Sequence, residues 1–299
     1  MPEFRIQLAP GRKLFTLSAA IIASLVFVSP AFAVTHHPTG DFAPFADCPL
    51  SNSSVAACVI AKTESGKFIV GNETVPIKNT ITLQGGIFAT EDEVVHFVGA
   101  EDGNTLSKAA QPVPGGLLGL VKCNEIRNFI ERVACEVTFE NGVTGVNATT
   151  ELAAPASAIT LSLENLLSET GTALTLPVKV HLENPFLGNE CYVGSNAHPV
   201  SLQLTTGITS PPAPNKPIKG NAGKTEFKDE GNLIEDKENI LVNNSFAAPV
   251  AQGCGGLFSF LIDPIVDSKL GLPSAAGHNT AILEGTLKLA VAEAVKASE

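Results

Sequence analysis

Residues 174–182 set Leu174, Leu176, Val178, Val180 and Leu182 in alternation with Thr175, Pro177, Lys179 and His181. A period of two predicts a strand with one buried face, and Pro177 places it at an edge or a bulge. Shorter β-branched runs recur at 59–62, 67–70, 74–78, 80–84, 94–98, 136–139, 143–152, 158–163 and 200–206, and a long closing strand is expected at 280–292. Gly, Asn or Glu separates many of these runs. Short strands at close spacing predict an all-β fold, mainly antiparallel and sandwich-like, in which two sheets each hide one face.

Two stretches break that rhythm. Ile126, Phe129, Ile130 and Val133 recur at helical spacing, and residues 264–270 suit a helical turn or two with Pro264 at the first position. The run SPPAPNKP at 210–217 opens a polar excursion with the acidic pairs Asp229-Glu230 and Glu235-Asp236. The pattern therefore predicts one compact unit over 34–299 with a polar insertion around 207–250, either a β extension or an exposed loop. A split into two domains near the Pro-Gly break at 112–116 is the alternative.

The first 33 residues read differently. Arg12 and Lys13 precede a mainly apolar run at 14–28, and Ala31-Phe32-Ala33 offers a small-residue cleavage site. As a helix that run is roughly 22 Å long, against about 30 Å of hydrocarbon, so a cleaved signal peptide (1–33) fits better than a membrane anchor. No later stretch is a candidate span. Secretion to the extracellular side is the expected localisation.

Charge and composition narrow the functional classes. The chain holds 19 basic and 30 acidic side chains. Loss of Arg5, Arg12, Lys13 and Glu3 with the leader leaves a net charge of about −13. That field disfavours nucleic acid and anionic lipid. Trp is absent and Tyr occurs once, so the usual tools of sugar platforms and protein hot spots are missing. The sixteen Phe are expected to fill a core.

Six cysteines in an exported chain predict disulfides, with fifteen pairings open in principle. Spacing favours neighbours: Cys48 with Cys58, Cys123 with Cys135, and Cys191 with Cys254. The absence of any C-x-x-C pair argues against zinc.

The candidate chemistry is sparse. Cleavage after Ala33 would free the amine of Val34 and place His36 third. The amine, the amides of Thr35 and His36 and the His36 imidazole form a four-nitrogen square suited to Cu(II) or Ni(II), with His37 as an axial contact. Acidic groups at 91–93, 101–104 and 229–232 could offer oxygens to Ca(II), although Asp-Gly and Gly-Asn are also ordinary turn chemistry. His96, His181, His198 and His278 are conceivable bases, but no Gly-x-Ser-x-Gly elbow accompanies them.

The strings LTTGITSPPAPNKPIKG (204–220), NPFLGNECYVGS (184–195) and GCGG (253–256) resemble exported actinobacterial proteins of unknown function. The resemblance implies bacterial secretion and no particular activity. In that setting the sequons at Asn52, Asn72, Asn147 and Asn243 stay bare. The resulting expectation is a secreted, non-enzymatic β protein with a structural or binding role at or outside the cell envelope, associating with the envelope or with itself. A secreted hydrolase and an extracellular copper, nickel or calcium binder are the alternatives.

Overall fold

A computed structural model describes residues 36–90, 95–116, 127–135 and 145–299. The proposed leader, Val34, Thr35, the strand expected at 136–139 and Cys123 lie outside them. So does the side chain of Cys135.

In chain order the strands are β1 (Ala57–Val70), β2 (Glu73–Pro76), β3 (Ile81–Ala89), β4 (Val95–Gly99), β5 (Gln111–Val113), β6 (Val146–Leu152) and β7 (Thr160–Leu161). They continue with β8 (Leu174–Glu183), β9 (Tyr192–Val193), β10 (Val200–Leu204), β11 (Lys224–Lys228), β12 (Leu233–Asn243), β13 (Ala251–Gln252) and β14 (Thr280–Val291). The α-helices among the described residues are α1 (Phe129–Cys135), α2 (Leu163–Ser168), α3 (Ser259–Leu270) and α4 (Ala292–Ala297). The fold is the expected one, antiparallel β in two sheets with a few short helices.

The first sheet runs β11-β12-β14-β1-β3-β4, with β2 folded back on the end of β1. Its longest ladder pairs β1 with β14, from Ala57 opposite Val291 to Ile69 opposite Thr280. A bulge between Thr63 and Ser65 lets the strands approach so closely that a Cβ on Gly285 would fall 1.8 Å from the Lys62 carbonyl oxygen. Only glycine fits there. The second sheet runs β13-β9-β8-β6-β5, with β7 and β10 on either edge of β8. The sheets join at one corner, where Thr205 and Val242 exchange backbone hydrogen bonds of 3.0 and 2.8 Å.

Alternation decides what is buried. Ala281, Leu283 and Leu287 on β14 face Leu174, Leu176 and Val178 on β8 within one core between the sheets. The opposite face of β1 and β14 is covered as well. Phe42, Phe45, Leu50 and Val295, from the amino-terminal arm and α4, pack there on Ile60 and Ala290. Cys48 is bonded to Cys58 inside this second core.

Two expectations need correction. Residues 158–163 form only the two-residue β7, and the chain then turns into α2, capped by the Ser162 hydroxyl accepting from Asn165 N at 3.2 Å. The helix expected from Pro264 starts at Ser259, so Pro264 sits in its interior. Of the two forms open to the polar 207–250 segment, its β11 and β12 take the β one. Its β12 lies inside the first sheet, bonded to β11 on one side and β14 on the other. The charges that make β12 look like loop are neutralised across the strands, with Glu235 set opposite Lys288.

Candidate functional site

Among the described residues, one end of the sandwich is not filled. Where β8 carries Leu174 and Leu176 the core is close-packed. Further along, the inward positions hold short side chains: Val178 and Val180 on β8, Val146, Ala148 and Thr150 on β6, and Val193 on β9. Valine and alanine do not reach across the roughly 10 Å between facing sheets as leucine and phenylalanine do. The shortfall is a cavity of about 890 Å³. Phe68, Val70 and Val75 of the first sheet and Phe246 form its other walls.

The lining contains few polar side chains: Glu73, Gln111, Thr150, Ser268 and Lys269. Gln111 is buried and its carboxamide is fully occupied. It accepts from the amides of Lys78 (2.8 Å) and Asn79 (3.0 Å) and donates to the carbonyls of Asn79 (2.6 Å) and Ala109 (3.1 Å). An apolar cavity of this size suits a hydrocarbon better than water, which needs polar partners.

Helix α3 straps the open end, and none of its residues is buried. Its start is tied to the second sheet. Cys254 is bonded to Cys191, and Gly255 N donates to the Leu187 carbonyl at 2.6 Å. The far end reaches the first sheet, where Asn72 N, in the β1–β2 turn, donates to the Leu270 carbonyl at 2.8 Å. The neighbouring Gly71 N is held by the buried Asn279 side chain at 2.9 Å.

The two acids of α3 turn inward. Asp263 accepts from the amides of Cys254 (2.7 Å) and Gly253 (3.2 Å), and Asp267 accepts from Ala251 N at 2.7 Å. The positions left exposed are Phe260, Leu261, Pro264, Ile265 and Ser268, without a charge among them. Phe186, Pro264 and Ile265 are exposed and also line the cavity, which marks where it opens.

The residues singled out from sequence are scattered. His36 carries a 2.7 Å contact from Nδ1 to Glu299 Oε1, so a copper ion taking that nitrogen has to displace the carboxylate. Val34 and Thr35 are outside the described residues. So is the whole 91–93 acidic group. Asp102 accepts both the amide and the side-chain amide of Asn104 at 2.8 Å, which is turn chemistry, and Glu101 accepts the hydroxyl of Ser51 from a distant loop. Asp229 is likewise bonded to Asn232 at 3.3 Å. Among the described residues no three His, Cys, Asp or Glu side chains group to hold a metal.

The histidines do not converge either. His96 stacks on Phe88, and Ser195 Oγ accepts the backbone amide of His198 rather than the ring. His181 lies on the outer face of β8, away from the cavity, stacked on Tyr192 with ring centroids 4.6 Å apart. Burial, followed by the nearby Glu151 carboxylate, holds the Tyr192 hydroxyl above its ordinary pKa. Of the cysteines, 48–58 and 191–254 pair as expected from spacing, whereas the 123–135 pair falls outside the described residues.

Sequence reasoning missed the cavity and assigned every Phe to the core. Phe186, Phe258 and Phe260 are in fact exposed around the opening. The acids at 263 and 267, one turn apart in an otherwise apolar stretch, were the available signal. No helix among the described residues is long and apolar enough to cross a membrane. No protein-family model matches the chain, and comparison with curated proteins and with solved structures found no match.

Proposed function

We propose that this is a non-enzymatic binding protein, working outside the cytoplasm, that takes a hydrocarbon chain such as a lipid acyl group into the cavity between its sheets. The observation that carries the proposal is the 890 Å³ space walled by Val, Ala, Leu and Phe. The disulfides suit an oxidising compartment. Carrier and sequestering roles need the same thing from the protein, a dry space with a guarded opening.

The direct test is titration with a fluorescent long-chain fatty acid. Wild type is expected to bind one equivalent. Ala148→Phe and Val180→Phe, which fill the space from β6 and β8, are expected to weaken binding at least about tenfold, the loss of roughly two buried methylenes. Equal binding by wild type and both variants would refute the proposal, as would no binding at all.

A further inference from the structure

We propose that the outward face of α3 and its neighbours dock on a lipid surface that carries no net charge, and that the cavity is loaded and emptied there. The loading half rests on the reading above; the docking half stands on the surface itself.

The surface is built from Phe186, Leu257, Phe258, Phe260, Leu261 and Ile265, all between 54% and 94% exposed. At aromatic areas of about 150–250 Å² each, such exposure amounts to roughly 700 Å², more than the largest apolar patch of an ordinary monomer. The patch is one surface. Leu257 and Phe258 lead directly into α3, and the Gly255–Leu187 bond holds the Phe186 turn beside them.

Helices on soluble proteins bury their apolar face and expose their charged one. Here the order is reversed. Asp263 and Asp267 are occupied by backbone amides, and the face toward solvent is uncharged. An apolar helix face held flat against a rigid body is suited to the acyl–headgroup boundary. Two further observations choose a lipid surface over another protein. Ile265 and Phe186 belong both to the patch and to the cavity wall, so apolar side chains run from the lining out to the surface. The formal charge of −11 repels anionic headgroups, and no lysine sits on the exposed α3 face to offset it.

The experiment is flotation of the full chain with phosphatidylcholine vesicles. Wild type is expected to rise with the vesicles equally at low and high salt, and F260S/L261S/I265S to float at least about tenfold less, since partitioning follows the apolar area inserted. The pair L257S/F258S should show the same direction from the turn before α3, where a serine at the Phe258 N-cap position is compatible with the start of the helix. Ala148→Phe should float like wild type. Flotation without fatty-acid binding would leave docking intact and remove the cavity reading alone. Wild type staying in the aqueous fraction, serine variants floating undiminished, or a wild-type dimer that the serine substitutions dissociate would each overturn docking.

Discussion

Asp263 Oδ1 accepts the Cys254 amide at 2.7 Å, so a residue on the second turn of α3 fastens the loop that leads into its own helix. The same cysteine is bonded to Cys191 beside β9. Helix and disulfide thus share one anchorage, and the strap over the cavity is only as firm as that loop.

Replacing Asp263 with Ala leaves the amides of Gly253 and Cys254 without their acceptor. Loss of such bonds costs about 1–3 kcal/mol. The expected result is faster amide exchange over 253–271 with little change in β1 and β14, measured by hydrogen-exchange mass spectrometry. Uniform acceleration throughout the chain would mean that the strap has no independence.

Gly271 closes the other end. Its φ is +70°, and a Cβ there would meet Asn72 Nδ2 at 2.7 Å. Gly271→Ala is therefore expected to cost about 1 kcal/mol in backbone strain and to push Asn72 off Leu270. A lower melting temperature together with faster release of a bound fluorescent fatty acid is the expected pair of readouts.

The two disulfides should separate stability from function. Cys191–Cys254 spans 63 positions and Cys48–Cys58 spans 10. Chain-entropy reasoning assigns about 4 kcal/mol to the longer loop and a little under 3 to the shorter. Cys191→Ser/Cys254→Ser should lower stability and speed ligand release. Cys48→Ser/Cys58→Ser should lower stability and leave release unchanged, because that bridge lies in the core on the opposite face of the first sheet.

Neighbouring acids on β12 should give opposite pH responses. Glu235 is 2.6 Å from Lys228 and 3.1 Å from Lys288. The Lys228 bond foremost, with Lys288 adding to it against the opposing effect of burial, takes its pKa from 4.5 to about 2. Its stabilisation is therefore complete above about pH 4.5 and lost as pH falls toward 2, and at most about 3 kcal/mol is involved. Asp236 is buried, and burial raises its pKa above 3.8 despite bonds to Asn239 and Thr225. Its contribution is present at low pH and lost as pH rises through the folded value. Denaturant melts from pH 2 to 7 should find Glu235→Gln less stable than wild type at neutral pH, with a flatter acid limb. Asp236→Asn should be more stable than wild type at neutral pH.

The strands that sequence located well are those with unbroken alternation, β8 and β14. There a one-residue slip would turn every leucine outward, so pattern and register agree. β12 was hidden because Glu235, Asp236, Lys237 and Glu238 look like loop until Lys228 and Lys288 are seen across the strands. The cavity was hidden for another reason. Val178 and Leu176 are equally good strand residues, and only the distance to the facing sheet shows that one fills its space and the other does not. For α3, the two aspartates one turn apart marked a polar side, but that backbone amides of 251–254 claim it is set by the tertiary contact and not by the local sequence.

The position of β14 carries one more consequence. This strand lies between β1 and β12 and is what joins them in one sheet. Without residues 280–291 the ladders β1-β3-β4 and β11-β12 stand apart, so the first sheet closes only through β14.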